Sequence, residues 1–377
     1  MKIKKSITFI TPTLNKTGAE IVLANYIQFL SKSYFAVIIS KFKGVLFENI
    51  PNTIKKIYVI KKMPTRSYLS RANYRLHIWF SLNRILKKNV NSNWYINTIM
   101  LPYELFFAEK NHVKTILHAH ELEHMYASLS ESEILRIVNY PILIIANSVA
   151  TAEVLKKYGR KNAIEICYPA IDTNFINNLT NKNKAEFRKK LMIDEASFLW
   201  VMSGSLDSNK NPSLFIDIAV EFLNSNPLTK FMWIGGTNDS EFEKICKEKA
   251  KQMGVAQNII WLGDAGSDYY NYFNCADGFV LTSIKESFSI VTLEAMLLKL
   301  PIVAQNCIGV KEVLGEDVGE IIEEINNPKL MVLAMKGFMN KTLEVDGKAQ
   351  IKRAKSFDIA IWGAKWNSIL ENYFIDL

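Results

Sequence analysis

Cysteine is scarce in this 377-residue chain, with only four present. Cys167, Cys246, Cys275 and Cys307 stand far apart with no CxxC pair, which argues against a zinc ribbon and a disulfide framework and fits buried thiols in a reducing compartment. No GxxxxGK[ST] stretch occurs, so phosphate binding of the P-loop kind has no support. No GxGxxG follows the first strand-like run, which removes the usual signal for a dinucleotide cofactor. Uninterrupted apolar runs stay below the roughly 18 residues of a membrane-spanning helix. Behind the basic Met1-Lys2-Ile3-Lys4-Lys5, the apolar stretch extends only from Ile7 to Ile10 before Pro12, too short for a secretory signal. Short internal repeats and low-complexity tracts are lacking as well. A cytoplasmic location is expected, with peripheral attachment to the inner face of a membrane as its one membrane option.

What is present points to a large core. Hydrophobic residues make up 49% of the chain, and its length suits two domains. Lys and Arg outnumber Asp and Glu by 46 to 37, for a net charge of +9, which favours an anionic partner. Strand-like and helix-like runs alternate throughout, as in a parallel α/β sheet with right-handed crossovers. In the first half the expected strands are Ile7–Ile10, Phe35–Ile39, Tyr95–Met100, Lys114–Leu117 and Pro141–Ala146. In the second half they are Phe198–Met202, Phe231–Ile234, Ile259–Leu262, Gly278–Leu281 and Pro301–Ala304. Polar residues from Asn174 to Lys190 read as the connection between halves. Pro212 suits the first position of a helix.

Residues 61–90 differ from the rest. Lys61, Lys62, Arg66, Arg71, Arg75, Arg84, Lys87 and Lys88 occur there with no acidic residue, interleaved with Tyr68, Tyr74, Trp79 and Phe80. A basic, aromatic helix is a candidate for an anionic membrane surface. An ordinary surface helix with its aromatics packed inward is the alternative.

The stretch from Gly278 to Leu298 carries the strongest chemistry. A buried strand, Gly278–Leu281, delivers Glu286 just beyond its carboxyl end. The following helix is apolar nearly all round, so Glu294 in its middle is buried. A buried carboxylate needs a cation or hydroxyl donors from a ligand. Ser287 or Ser289 can cap that helix, whose amides form a natural seat for phosphate. Lys210, in the Gly204-Ser205-Leu206-Asp207-Ser208-Asn209-Lys210 loop, places a cation at another strand end, where ligands of open α/β sheets sit. His118 and His120 face one side of a strand end and could contact a sugar or a leaving phosphate. His120-Glu121-Leu122-Glu123-His124 matches the two-histidine zinc-protease pattern, but it begins at a strand end, not within a helix, and no later histidine completes it.

Together these pieces resemble the retaining GT-B glycosyltransferases of the glycogen-synthase and bacterial mannosyltransferase type, glycosyltransferase family four. Glu286 and Glu294, separated by seven residues, match that family's paired glutamates. Ser283, Phe288, Ala295-Met296, Pro301–Ala304, Gly309 and Glu312 extend the match. Ile234-Gly235-Gly236, Ile260-Trp261-Leu262-Gly263 and Gly204–Lys210 continue it. Thr17-Gly18-Ala19-Glu20 is similar to the family's N-terminal glycine loop. The resemblance implies an α/β fold of two Rossmann-like doubly wound domains facing a central cleft. It places an acceptor-side domain at 1–172, completed by a C-terminal helix at 359–377 around Trp362, Trp366 and Tyr373. A nucleotide-sugar domain would occupy 190–358.

By the same resemblance, Glu286 binds donor-sugar hydroxyls and Glu294 the ribose. Lys210 neutralises the leaving diphosphate, and His118 sits beside the reacting carbon. Ser283 and the amides from Ser287 through Phe288, Ser289 and Ile290 hold phosphate or sugar. Leu262 and Gly263 line the base pocket, and Gly18, Gly204, Ser205 and Gly235 complete the donor site. Neither a metal nor a cofactor is implied; the nucleotide-sugar is a co-substrate. The implied partners are a nucleotide-diphosphate sugar, a glycan or lipid-linked acceptor and, through 61–90, an anionic membrane surface. Nucleic acid is not among them. The sequence departs from the family at Ser205, where an arginine is usual, at Pro169-Ala170, where Asn-Gly is usual, and at Thr17, usually glycine. A nucleotide-sugar epimerase of the same fold and a non-catalytic nucleotide-sugar-binding protein are the competing functions.

Overall fold

A computed structural model describes the chain except for residues 1–4, 16, 33, 41–43, 47–49, 59–75, 77, 85–91, 180–183, 237–239, 316–317 and 375–377. It divides into two compact units, Met1–Ala170 with Ile359–Leu377, and Ile171–Asp358.

The first unit is built on seven strands: β1 (Lys5–Thr11), β2 (Tyr34–Ser40), β3 (Lys55–Tyr58), β4 (Ser92–Ile96), β5 (Thr115–Ala119), β6 (Leu143–Ala146) and β7 (Ile164–Ile166). Their spatial order is β3-β2-β1-β4-β5-β6-β7, and every pairing is parallel. Parallel sheets are covered on both faces, so their strands read as apolar runs rather than alternations. β5 follows that rule with all five residues buried, His118 included. The expected strand from Tyr95 to Met100 stops at Ile96, because the chain leaves the sheet there through Asn97 and Thr98. Helix Ile359–Phe374 belongs to this unit. Trp366 is its anchor, fully buried and stacked on Phe9 and Tyr26 with ring centroids 6.0 and 5.8 Å apart.

The second unit is a six-stranded sheet: β8 (Leu199–Ser203), β9 (Lys230–Ile234), β10 (Ile259–Gly263), β11 (Gly278–Leu281), β12 (Ile302–Gln305) and β13 (Glu320–Ile322). The order β10-β9-β8-β11-β12-β13 is again wholly parallel. A ring cluster of Trp200, Phe215, Phe222, Phe231 and Trp233 fills the space between the sheet and helix Pro212–Leu223. That helix starts at Pro212, with Asn211 as its N-cap accepting from the Leu214 amide at 3.3 Å.

Asn174 to Lys190 differs from the expected loose connection. Helices Thr173–Leu179 and Lys184–Lys190 occupy it and are built into the second unit. Arg188, nearly buried, pairs with Asp277 at 2.9 Å and donates to the Cys275 and Asp194 carbonyls. Polar composition does not mark a loose linker here, because the charges serve internal bonds as well as solvent.

Each strand order reverses direction once, between β1 and β4 in the first unit and between β8 and β11 in the second. Beyond the carboxyl ends at such a switch point, neighbouring loops diverge and leave a crevice.

Candidate functional site

At the second unit's switch point, the loop after β8 brings Lys210 to the loop after β11. The Lys210 ammonium is hydrogen-bonded to the Glu286 carboxylate, and the two side chains retain 20% and 11% of their exposure. Burial alone would lower the lysine pKa, but the charge and hydrogen bond of Glu286 outweigh it and hold the group above its ordinary value. Both residues are fixed through their backbones. The Lys210 amide donates to Asp207 at 3.0 Å, and its carbonyl accepts from the Thr282 hydroxyl at 2.8 Å. The Glu286 amide donates to the Cys307 carbonyl, and its carbonyl accepts from the Gly309 amide. A Cβ on Gly309 would lie 2.3 Å from the Ser287 carbonyl oxygen, so only glycine permits this bracing.

Glu294 lies one element further on, in helix Ile290–Leu297, and is almost wholly buried. Its donors come from inside the protein. Tyr269 donates to one carboxylate oxygen at 2.7 Å and Tyr270 to the other at 2.8 Å. Tyr269 also shares a 2.8 Å hydrogen bond with Ser203 at the end of β8. Burial pushes the Glu294 carboxyl up to about 7, against the lowering effect of the two tyrosines. Among the described residues no cation pairs with it. Sequence reasoning missed the tyrosine pair that holds this candidate residue. A buried glutamate without a cation was the one signal that could have prompted a search for hydroxyl-bearing neighbours.

The capping expectation at this helix needs correction. Ser289 is the N-cap residue, but its side chain caps no helix amide; its oxygen instead accepts the Thr292 hydroxyl at 2.8 Å. Ser287 precedes the helix and its N-cap, and Phe288 is buried against Phe357, with ring centroids 5.2 Å apart. Ile290 opens the helix. Ser283 is fully buried, and its hydroxyl has no hydrogen-bond partner among the described residues.

Gly204, Gly235 and Gly263 end or follow three adjacent strands. The Gly204 amide donates to the Ile234 carbonyl and the Gly235 amide to the Gly263 carbonyl, both at 2.9 Å. Gly235 has φ of +127°, and a Cβ there would meet the Gly204 oxygen at 2.0 Å, so the edge closes only with glycine. Leu262 lies within β10, beside Gly263. Ser205 is exposed and donates to Asp207 at 2.5 Å. A serine this short replaces the reach of the arginine that the resemblance implies with a local turn.

The first unit holds a separate cluster at the ends of β4 and β5. His118 Nδ1 lies 2.6 Å from the Tyr95 hydroxyl, which accepts from Trp366 Nε1 at 3.0 Å. His120 Nε2 meets Asn97 Oδ1 at 3.2 Å, and the two imidazole centroids are 4.0 Å apart. Burial, with His120 adding to it, drives His118 well below the ordinary histidine pKa; burial takes His120 down to about 3. Both rings are therefore neutral at physiological pH. Gly18 opens helix Gly18–Tyr26, and a Cβ there would meet nothing within 4 Å, so its own surroundings do not demand glycine.

The zinc-protease pattern does not assemble. Glu121 folds back to accept from Thr98 and from the His120 amide, and His124 lies in a separate short helix, Glu123–Tyr126. Among the described residues no group of three or more His, Cys, Asp or Glu side chains could hold a metal ion.

Most of 61–90 lies outside the described residues: 61–75, 77 and 85–90. The remainder is helical, with Ile78 and Leu82 buried and Leu76, Trp79 and Phe80 exposed. No helix of the described residues is long and apolar enough to cross a membrane.

Comparison with known proteins fits this geometry. D-inositol 3-phosphate glycosyltransferase of Segniliparus rotundus is 21% identical over 236 residues, covering 61% of this chain and 51% of that protein. The lipopolysaccharide core biosynthesis mannosyltransferase LpsB of Rhizobium meliloti is 28% identical over 163 residues, 42% of this chain and 46% of its own. The chain thus spans about half the length of these curated relatives. HepE of Anabaena, solved in complex with UDP-glucose, superposes with a TM-score of 0.78 at 18% identity, over 97% of this chain and 99% of that one. Residues 183–356 match the family model described as glycosyl transferases group 1. The two parallel Rossmann-like sheets have the GT-B fold, and with these similarities they support a glycosyltransferase of that fold.

Proposed function

We propose that this chain is a retaining glycosyltransferase that needs no metal and moves a sugar from a nucleotide-diphosphate donor to a glycan or lipid-linked acceptor. The observation that carries the reading is the Lys210–Glu286 pair, braced at the switch point of the second sheet. A cation fixed there before the donor arrives can meet charge that develops on a departing diphosphate without reorganising. Glu286 would then accept hydroxyls of the donor sugar, and Glu294 those of the ribose. The helix beginning at Ile290 supplies amides for phosphate. In the transfer the bond from the anomeric carbon to phosphate oxygen breaks, with its electron pair leaving on the diphosphate. The acceptor oxygen bonds the same carbon, and its proton passes to the departing phosphate. HepE, a structural neighbour, was solved with UDP-glucose, which favours a uridine donor among those to be screened.

The units take different roles in this reading, donor binding at 190–358 and acceptor binding at 1–172 with 359–377. The protein would work in the cytoplasm in the synthesis of cell-surface polysaccharide or glycoconjugate, attached at the inner face of a membrane. Leu76, Trp79 and Phe80 favour that attachment, since they stay exposed while Ile78 and Leu82 of the same helix are buried. A thermal-shift screen of nucleotide-sugars identifies the donor, because a ligand that binds the folded state raises its melting temperature. Proton NMR of the product with a test acceptor then gives the anomeric configuration. Inversion at the anomeric carbon sinks retention, an isomerised free sugar points to an epimerase, and binding without turnover points to a non-catalytic protein.

A further inference from the structure

We propose that Trp366 and Tyr95 are positioning residues that lock His118 as its neutral Nε2–H tautomer, so that His118 offers a hydrogen-bond donor, and not a base, to a substrate oxygen. A count of hydrogens separates the tautomers. Indole Nε1 only donates, so the Tyr95 oxygen is the acceptor in the 3.0 Å contact with Trp366. Two arrangements remain for the 2.6 Å contact between Tyr95 and His118 Nδ1. Were Nδ1 to carry the proton, Tyr95 would accept twice, and its own O–H and the Nε2 lone pair would both be buried without partners. With the Tyr95 O–H donating to Nδ1, a single group is orphaned, the Nε2–H. Tyr95 and His118 are both completely buried, so the second arrangement is the stable one. His118 Nε2 is indeed a buried atom with no hydrogen-bond partner among the described residues.

The neighbouring ring is fixed by the same logic. Asn97 Nδ2 donates to the Ala19 carbonyl at 3.1 Å, which turns Oδ1 toward His120 and requires Nε2–H there too. His120 is thereby satisfied, and His118 alone is left with a donor to give. Its natural ligand is an uncharged or anionic oxygen. On the transferase reading, on which this assignment of the oxygen rests, that is a hydroxyl of the sugar or an oxygen of the leaving phosphate. Trp366 lies on the C-terminal helix Ile359–Phe374, so the last helix of the chain sets the protonation pattern of a residue on β5.

The test uses the full chain with ¹⁵N-labelled histidine. Long-range proton–nitrogen spectra at neutral pH distinguish the two tautomers and the imidazolium, and His118→Asn identifies the His118 signals by their loss. The wild-type protein should show His118 as Nε2–H, and Tyr95→Phe should mix in the Nδ1–H form. An Nδ1–H or charged His118 in the wild type overturns the proposal, as does a folded Tyr95→Phe protein with an unchanged tautomer. Loss of one neutral hydrogen bond should lower kcat by up to about tenfold with KM for the donor little altered. If the wild-type protein turns over no nucleotide-sugar, the transferase reading fails while the tautomer result still decides the role of Tyr95 and Trp366.

Discussion

The strand ends of the two units solve different electrostatic problems. At the second unit's edge, the Lys210 ammonium and the Glu286 carboxylate meet in a partly open pair. At the first unit's edge, His118, His120, Tyr95 and Trp366 form a buried array that carries no charge at neutral pH. A fixed cation suits a leaving group that gains charge. Neutral donors suit hydroxyls, which must be oriented without being ionised. The same contrast recurs inside the second unit, where Glu286 faces a cation and Glu294 faces two phenols.

Removing the charge from the charged edge should have the largest effect. Lys210→Ala leaves Glu286 without its partner and deprives the diphosphate of its counter-charge. Turnover of donor should fall by about 10²- to 10³-fold, the usual loss when one preorganised stabilising donor is deleted. An initial-rate assay of nucleotide release, run beside a thermal melt to show folding, checks this. The neutral edge should be less sensitive, with a loss of no more than about tenfold for Tyr95→Phe.

Glu294→Gln comes next. Replacing a charge-assisted acceptor should weaken donor binding by roughly 1.5–3 kcal/mol. Titration calorimetry measures it, and unchanged affinity in a folded variant removes Glu294 from the site.

Glu294 also makes a prediction about pH. Its carboxyl rises from 4.5 in the ordinary state to about 7 in the fold. Folding therefore takes up a proton between those values, and stability falls as pH rises through that window. The wild type should gain up to about 3 kcal/mol relative to Glu294→Gln as pH drops from 7 toward 4.5. Urea melts across this range test the sign, and parallel pH curves for the two proteins would contradict it.

The smallest effect expected for any single residue is at the surface. Arg71→Glu, Arg75→Glu and Arg84→Glu together should release the protein from anionic vesicles, at about 1 kcal/mol for each basic residue and less at high salt. Trp79→Ser should weaken binding at high salt as well, because Trp79 is exposed and its contribution is apolar. A wild-type protein that fails to sediment with such vesicles at low salt rules out the membrane surface.

The sequence spoke clearly where burial is continuous. β8, β9, β11 and β12 are almost wholly buried and read as apolar runs within one residue of their limits. β3, β7 and β13 were silent. All three lie at sheet edges and are short, and β7 and β13 are only half-buried, so no long apolar run marks them. That Lys210 and Glu286 lie beyond the carboxyl ends of strands was legible, because the apolar runs of β8 and β11 that precede them are plain in the sequence. Tyr269 and Tyr270 were not, since their contact with Glu294, 25 and 24 residues away in sequence, depends on helix Tyr269–Asn274 meeting helix Ile290–Leu297. Tyr95 and Trp366 are separated by most of the chain, and only the packed structure joins them.

Glu286→Gln is the most direct test, because it keeps the shape of the charged edge while removing its negative member. Wild-type and variant protein would be given the same panel of nucleotide-diphosphate sugars, with nucleoside diphosphate release and donor affinity measured together. The wild type should consume at least one donor, and the folded variant should still bind it but turn it over at least about a hundredfold more slowly. Equal turnover by the two proteins would contradict this.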